Sequence, residues 1–198
     1  MLFFCHQLAM KKEAEEKQQQ TEAVAARRQH VNVPIIWVLG GPGCGKGTQC
    51  AKIVEQYGFS HISTGDLLRA EVASGSEKGK ELEAIMKEGK LVSNDDVLQL
   101  LECAIHKASK DAKGFLIDGY PREKDQGTAF EKFIAPVDLV LYFDCSDDTM
   151  VRRILHRAQQ SAEVRSDDNE ETIKCRLETF RKNTNAILNL YEAKTTTV

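Results

Sequence analysis

Residues 40–50 read GGPGCGKGTQC and directly follow the apolar run IIWVL at residues 35–39. The five glycines of this stretch leave much bare backbone, because glycine adopts dihedral angles that other residues avoid and lets a ligand approach the main chain closely. After the loop, TQCAKIVEQY (residues 48–57) has side chains at helical spacing that could face a core: Cys50, Ile53, Val54 and Tyr57. The stretch therefore predicts a buried strand, a glycine-rich loop and a helix, in that order.

The predicted loop has the residue pattern of a phosphate-binding loop. Unpaired N–H groups and the helix dipole favour an anion at a helix N-terminus, and Lys46 adds a positive charge that can follow a β- or γ-phosphate. Gly40, Gly45 and Lys46 have the spacing of the phosphate-loop motif. Gly47 stands where a Ser or Thr usually follows the lysine, and Thr48 comes one residue later, so a direct hydroxyl bond to magnesium is less secure here. A glycine-rich turn without a ligand is the alternative interpretation.

Composition limits the possible partners. The chain has 198 residues, which suits one domain with a full core, and a formal net charge of −3, which argues against broad nucleic-acid binding and against a polybasic membrane surface. No apolar stretch approaches the roughly 20 residues of a membrane helix. The six cysteines form no CxxC pair and are typical of reduced thiols, so we expect a cytoplasmic protein. Cys44, inside the loop, is either a reactive thiol or a buried, inert side chain.

The N-terminal residues differ in composition from the rest of the chain. Residues 1–10 are apolar but short, and KKEAEEKQQQTEAVAARRQH (residues 11–30) is polar and rich in helix formers without a core face. Acidic residues argue against a mitochondrial transit peptide, and the apolar segment is too brief for a secretory signal. We therefore expect residues 1–32 to be a helical or disordered extension and residues 33–198 to be the folded domain.

Apolar runs alternate with amphipathic segments from Val33 onward. IIWVL, FSHIS, GFLID and VDLVLYFD are strand candidates, and the segments between them have helical patterns. This alternation predicts an α/β fold with a parallel sheet between helices. Ligands of such sheets bind beyond the carboxyl ends of the strands, where Asp118, Ser63 and the phosphate loop all fall.

Charged residues that could hold phosphate and magnesium follow these strands. Asp118 ends GFLID and is expected to hold Mg²⁺, directly or through water, unless it is a surface residue that opens a turn. Arg122 follows in a turn and can bind a phosphate bidentately, and Arg69 lies on a predicted helix that Ser63 or Thr64 caps. Further arginines flank the polar loop AQQSAEVRSDDN (residues 158–169), which suits a closing lid: Arg153, Arg157, Arg165 and Arg176.

Four motifs together resemble the nucleoside monophosphate kinases, specifically short-lid adenylate kinases of the cytosolic isoenzyme 1 type. The motifs are GGPGCGKGTQC, STGDLLR, GFLIDGYPRE followed by Gln126, and SDDNEETIKCRLETF, and the resemblance spans about residues 33–192. It implies a P-loop NTPase-like fold and the reaction ATP + AMP ⇌ 2 ADP with magnesium. An AMP-binding segment at 63–92 and a lid at 156–168 are also implied.

The resemblance also implies roles for individual residues. Catalysis is expected of Lys46, Arg122, Arg157, Arg165 and Arg176. ATP binding is expected of Gly43, Cys44, Gly45, Lys46, Gly47 and Thr48, with Arg153 against the adenine and Arg157 at the phosphates. AMP binding is expected of Thr64, Arg69, Lys90, Leu91, Val92, Gly119, Tyr120, Pro121, Arg122, Gln126, Arg165 and Arg176.

Thr64 and Gln126 favour AMP as the acceptor. Related UMP/CMP kinases resemble SAGELLR and GFPRNQDN where this chain has STGDLLR and GYPREKDQ, and a Gln amide can pair with both donor and acceptor groups of adenine. A UMP/CMP-type kinase is the alternative within the same class.

The C-terminus departs from the family pattern. The family continues with a fifth strand and a closing helix, whereas this sequence ends at LYEAKTTTV, so the strand and helix are expected to be missing apart from a possible strand start at TTTV. An unpaired sheet edge and weaker ATP binding would follow. The lid loop also looks two residues longer than in relatives. A non-catalytic nucleotide-binding relative is therefore a second hypothesis beside an active enzyme, which we expect to be a monomer.

Overall fold

A computed structural model describes residues 31–108, 112–160 and 169–198. Five parallel strands form one sheet in the order β2-β3-β1-β4-β5. The strands are β1 (Ile35–Gly40), β2 (Ser60–Ser63), β3 (Phe115–Asp118), β4 (Leu139–Phe143) and β5 (Thr195–Thr197). The predicted α/β fold with a parallel sheet is confirmed, and the four predicted apolar runs form β1 to β4.

Helices connect the strands. Within the described residues they are α1 (Lys46–Tyr57), α2 (Thr64–Ala73), α3 (Glu77–Lys87), α4 (Asn94–Ala108), α5 (Lys124–Phe133), α6 (Asp147–Gln160) and α7 (Glu170–Leu190), with a short 3-10 helix at Glu192–Lys194. Ser63 caps α2, because its hydroxyl accepts a hydrogen bond from Asp66 N at 3.2 Å. None of these helices is both long and apolar enough to cross a membrane.

The sheet is covered on both faces, as its continuous apolar strands require. On one face Trp37 is fully buried among the rings of Tyr120, Phe130 and Tyr191. On the other face Val38 and Leu116 pack with Cys50 of α1. Because the helices occupy both faces, the exposed carboxyl ends of the strands are left for a ligand.

The expectation of a missing fifth strand is wrong, whereas the possible strand start at TTTV is confirmed. Thr195–Thr197 pairs in parallel with Val140–Tyr142, and Val198 extends the pairing through hydrogen bonds with Tyr142 and Asp144. The strand forms because the preceding residues are anchored: the Tyr191 hydroxyl donates to Glu131 at 3.1 Å, and Lys194 donates to the Val137 carbonyl at 2.8 Å. The edge of the sheet is thus β5, and β4 is paired on both sides.

Two predicted segments fall mainly outside the described residues. The predicted extension at residues 1–32 has only its last two residues described. Residues 156–160 of the predicted lid belong to α6, whereas residues 161–168, with Arg165, are not described. The domain boundaries and the lid therefore stay predictions.

Candidate active site

A cleft of about 840 Å³ lies at the carboxyl ends of the strands. Its walls come from the phosphate loop, from Asp118 at the end of β3, from the following turn and from one side of α7. The helices α1 and α2 begin at this cleft, since their preceding strands end there. A ligand in the cleft would therefore meet two helix N-termini and the positive ends of their dipoles.

One side of the phosphate loop packs tightly against α6, and the other side is open. Gly43 has φ +82°, and a Cβ added there would lie 2.6 Å from the Met150 carbonyl oxygen. Gly45 has φ +104° and precedes α1. A Cβ added at Gly47 would meet no atom within 4 Å, and Gly47 lines the cleft. The loop thus packs its back against α6 and presents its open side to the cleft, as phosphate binding requires.

Lys46 folds back over this loop. Its Nζ donates to the carbonyl oxygens of Gly40 at 2.8 Å and Gly41 at 3.0 Å, and contacts the Cys44 Sγ at 3.6 Å. A phosphate oxygen is a stronger, charged acceptor for this ammonium group than the two neutral carbonyls. Cys44 is buried, which agrees with the inert interpretation of its thiol.

Six of the predicted cationic side chains line the same cleft although the chain as a whole carries a formal net charge of −3. They come from α1, α2, the turn after β3, α6 and α7: Lys46, Arg69, Arg122, Arg153, Arg157 and Arg176. Neighbouring groups position several of them. Arg69 pairs with Asp66 at 2.5 Å, and Arg153 Nη1 donates to the Cys44 carbonyl at 2.8 Å. This concentration of positive charge fits a polyphosphate ligand.

A smaller pocket adjoins the cleft beside α2 and the end of β3. Nearly every residue predicted to bind AMP lines it: Thr64, Arg69, Lys90, Leu91, Val92, Gly119, Tyr120, Arg122, Gln126 and Arg176. Pro121 lines the main cleft instead, and Arg165 lies outside the described residues. The structure therefore brings residues from four separate sequence segments to one place next to the phosphate loop.

Hydrogen bonds hold the turn between these two pockets. The buried Thr64 hydroxyl lies 3.1 Å from the carbonyl oxygens of both Asp118 and Gly119. Gln126 Oε1 accepts from the Arg122 backbone N–H at 2.7 Å, and Arg122 Nε donates to the Gly119 carbonyl at 3.0 Å. Thr64 and Gln126 thus fix the position of Arg122 while they line the smaller pocket.

Tyr120 differs from the other residues predicted to bind AMP, because its ring is part of the hydrophobic core. The ring is buried against Trp37 and Phe130, and its hydroxyl donates to the Gln126 carbonyl at 2.6 Å. Burial raises the pKa of this phenol well above its ordinary value. Tyr120 therefore supports the pocket wall and keeps Gln126 in place.

Asp118 has the surroundings expected of a metal-binding carboxylate. It ends β3, which pairs with β1, so its side chain lies beside the strand that leads into the phosphate loop. Asp118 is only 9% exposed, and the part that is exposed faces the cleft. A hard carboxylate oxygen in this position fits Mg²⁺, which prefers one or two carboxylates together with phosphate oxygens and water.

Sequence reasoning missed several residues of the two pockets. His61 lines the main cleft, and the apolar side chains of Leu68, Met86 and Val97 line the smaller pocket. The alternation of β2 could have indicated His61, since residues 61 and 63 share one face of that strand. The apolar residues gave no such signal, because core positions of amphipathic helices have the same spacing.

The fold and the site define a P-loop phosphotransferase. Within that class the chain belongs to the adenylate kinase family, because residues 38–196 match the sequence model of the family described as "Adenylate kinase". The chain is 66% identical to "Adenylate kinase 1" of Drosophila melanogaster over 198 residues, which is 100% of this chain and 86% of the relative. It is 58% identical to "Adenylate kinase isoenzyme 1" of Gallus gallus, and 54% identical to that of Homo sapiens; each alignment covers 160 residues, 81% of either chain.

Family membership establishes the class of reaction. The chain is a nucleoside monophosphate kinase, an enzyme that transfers a phosphoryl group from ATP to a nucleoside monophosphate, with ATP + AMP ⇌ 2 ADP as the family's reaction. The predicted resemblance is confirmed, and so is the expectation of an active phosphotransferase over a non-catalytic relative.

Proposed function

We propose that the phosphate loop and its neighbours form the ATP site. The open side of the loop at Gly47, the N-terminus of α1 and the Lys46 ammonium group would bind the β- and γ-phosphates. Lys46 would exchange the carbonyl oxygens of Gly40 and Gly41 for phosphate oxygens. The backbone of Gly43, Cys44, Gly45 and Thr48 would complete this cradle, and Arg153 would lie against the adenine of ATP.

The smaller pocket is the proposed AMP site. Arg69 and Arg122 stand at its mouth toward the main cleft, where they would hold the AMP phosphate. The backbone at Lys90 and Leu91, together with Thr64 and Gln126, would contact adenine or ribose. Because Gln126 can donate and accept hydrogen bonds, it suits adenine, and AMP is the proposed acceptor in preference to CMP or UMP.

Transfer itself requires little covalent chemistry from the protein. An oxygen of the AMP phosphate attacks the γ-phosphorus of ATP, the bond from that phosphorus to the β–γ bridging oxygen breaks, and two ADP molecules result. Charge spreads over the γ-phosphoryl oxygens in the transition state. Lys46, Arg157 and Arg176 would stabilise that charge, and Arg165 and residues 156–168 would join them in a lid that excludes water.

Mg²⁺ is the proposed cofactor and would be held near Asp118 through water. When bound with ATP it neutralises charge on the phosphates. A monomeric state, a cytoplasmic location and the absence of nucleic-acid and membrane partners stay predictions.

One observation carries this proposal: Lys46 and five arginines, from four helices and one turn, line one cleft that contains the phosphate loop and adjoins the smaller pocket. The test is phosphorus NMR of the purified chain with ATP and Mg²⁺, with AMP, CMP or UMP in separate samples. We expect ADP with AMP as acceptor and little or no transfer to CMP or UMP.

The variant for this test is Lys46→Ala, which should abolish transfer while the chain stays folded. Lys52→Ala is its matched control, because Lys52 is an exposed lysine of the same helix and lies outside the cleft lining. Lys52→Ala should transfer phosphate at the rate of the unchanged chain. Retained transfer in Lys46→Ala would contradict the proposed role of the lysine.

A further inference from the structure

Three side chains of types that can bind a metal ion lie close together. One ligand atom from each of Cys50, His61 and Asp118 lies within 4.8 Å of the other two. The proposed kinase mechanism uses Asp118 alone among them and gives no role to Cys50 or His61. The cluster therefore calls for a separate explanation.

Regular secondary structure holds all three side chains. Cys50 lies in α1 and packs against Val38 and Leu116, whereas His61 and Asp118 lie on the paired strands β2 and β3. In the register of those strands, His61 is opposite Leu116, so it shares a sheet face with Asp118, two residues further along. A site on rigid elements keeps its ligands in place before a metal arrives.

The separation of His61 and Asp118 suits a shared metal ion better than a hydrogen bond. His61 Nε2 and Asp118 Oδ2 are 3.4 Å apart, which is longer than the usual hydrogen bond of about 2.7–3.2 Å. Two ligands that each lie about 2.0–2.1 Å from a tetrahedral Zn²⁺ are about 3.3–3.4 Å apart. The observed pair thus already has the spacing of two ligands of one zinc ion.

Cys50 would complete the set with a small movement. A thiolate about 2.3 Å from Zn²⁺ lies about 3.6 Å from the other ligands of the same tetrahedron. Since the Cys50 Sγ is within 4.8 Å of both partners, an approach of about 1 Å suffices. Burial and the Asp118 carboxylate raise the pKa of Cys50 to about 12, so binding must release the thiol proton to solvent.

The chemistry of the three donors selects the class of metal. A thiolate and an imidazole are ligands for Zn²⁺-class ions, whereas Mg²⁺ and Ca²⁺ take oxygen ligands. We propose that Cys50, His61 and Asp118 form a binding site for a Zn²⁺-class transition-metal ion, reached from the active-site cleft. His61 and Asp118 line that cleft, and a fourth position on this side stays open to water. Lys46 is the nearby positive charge that opposes binding, but its Nζ points to the carbonyls of Gly40 and Gly41.

A bound Zn²⁺ would inhibit phosphoryl transfer. This consequence rests on the proposed function, because it assumes that Asp118 serves the Mg²⁺ that accompanies ATP. With its carboxylate taken by zinc, Asp118 could not serve that Mg²⁺. Inhibition by Zn²⁺ should therefore weaken as MgATP increases, and Cys50→Ala should be far less sensitive to it.

The experiment that tests the site is a Co²⁺ titration of the purified full chain without nucleotide or Mg²⁺. Co²⁺ stands in for Zn²⁺, and its bond to a thiolate gives a near-ultraviolet charge-transfer absorption. We expect one equivalent of Co²⁺ to produce this absorption and Zn²⁺ to displace it. Cys50→Ala should abolish the absorption. His61→Asn should weaken Co²⁺ binding by at least about tenfold, because even the loss of a residue that only hydrogen-bonds to a metal ligand costs about that much affinity.

Cys103→Ala is the matched control, because Cys103 is an exposed thiol on α4. It should titrate like the unchanged chain. The proposal is wrong if the folded chain gives no absorption, if Cys50→Ala keeps it, or if Cys103→Ala loses it. Circular dichroism checks folding, and Cys50→Ser replaces Cys50→Ala if the alanine variant does not fold. Because absorption is measured without catalysis, its absence would leave the proposed kinase function untouched.

Discussion

At the scale of single residues, a set of local hydrogen bonds positions the guanidinium group of Arg122. Its backbone N–H donates to Gln126 Oε1, and its Nε donates to the Gly119 carbonyl. Gly119 is in turn held by the Thr64 hydroxyl, which also contacts the end of β3. These bonds restrict the conformations of the Arg122 side chain, which lines both pockets. Less conformational entropy is therefore lost when it binds a phosphate.

Arg122→Ala should weaken the acceptor side. The loss of charge-assisted bonds worth about 1.5–3 kcal/mol predicts a rise in KM for AMP of about 10- to 100-fold, with a much smaller change in KM for ATP. Steady-state kinetics with each substrate varied in turn measures both constants. Arg152→Ala is the control, since Arg152 is an exposed arginine of α6 outside the cleft lining. Equal increases in both KM values would count against the acceptor role.

At the scale of elements, the glycines of the phosphate loop have two different roles. Gly43 is required by the fold, whereas Gly47 leaves space for the ligand. Gly43 has a positive φ and no room for a Cβ, because Met150 of α6 lies against it. Gly47 lies within α1, where alanine is a better helix former than glycine, and has space around it. Two substitutions of the same kind should therefore have opposite effects on stability.

Gly43→Ala should lower the free energy of unfolding by about 1–3 kcal/mol through backbone strain and the clash with Met150. Gly47→Ala should leave the free energy of unfolding unchanged or raise it by up to about 1 kcal/mol. The Gly47→Ala methyl group nevertheless faces the cleft, so KM for ATP should rise. Urea unfolding and steady-state kinetics of both variants give the comparison. A Gly47→Ala enzyme with normal KM for ATP would show that this side of the loop does not approach the nucleotide.

A charged contact between α3 and α4 should make the stability of the fold depend on pH. Lys78 Nζ lies 2.8 Å from Asp96 Oδ2, and the Ser93 hydroxyl donates to the same oxygen at 2.6 Å. These hydrogen bonds from Lys78 and Ser93 hold the pKa of Asp96 below its ordinary value of 3.8. The contact therefore stabilises the fold above pH 3.8 and loses its effect as the pH falls from there through the lowered pKa.

Asp96→Asn should reduce stability at neutral pH, and the difference from the unchanged chain should shrink as the pH falls below 3.8. Urea midpoints across an acid pH series measure this difference. Asp95→Asn is the control, because Asp95 is exposed and lies on the same first turn of α4, so both variants lose one charge near the helix N-terminus. A gap for Asp96→Asn that stays constant with pH would contradict the assignment.

At the scale of the whole molecule, α7 connects the two pockets to the central strand of the sheet, β1. Near its start the Thr172 hydroxyl donates to the Lys87 carbonyl at 2.8 Å, which ties it to the end of α3. Arg176 lines both pockets, and Tyr191, just after the helix, packs on Trp37 at 4.9 Å between ring centroids. A ligand that fills both pockets should therefore stabilise the molecule as one unit.

A bisubstrate analogue with two adenosines joined through phosphates should raise Tm strongly. At about 100 times its Kd the ligand adds about 2.7 kcal/mol, which for a domain of this size corresponds to a rise in Tm of roughly 5–10 °C. Thermal unfolding with and without the analogue measures the shift. AMP alone should give a smaller shift, and Lys46→Ala should bind the analogue more weakly. Equal shifts with AMP and with the analogue would mean that the two pockets do not bind it together.

The sequence by itself determined the class of fold and most of the candidate site, because both depend on local patterns. Alternating apolar runs and helical spacing encode the parallel sheet, and Gly40 to Lys46 encode the loop through backbone freedom and charge. Tertiary structure decided what depends on residues distant in the sequence. The pairing of Thr195–Thr197 with β4 required the anchoring of Tyr191 and Lys194, because three threonines favour a strand but are too short a run to predict its pairing. Cys50, His61 and Asp118 likewise come together through the packing of α1 on β2 and β3, and their spacing in the sequence matches no motif that would predict this.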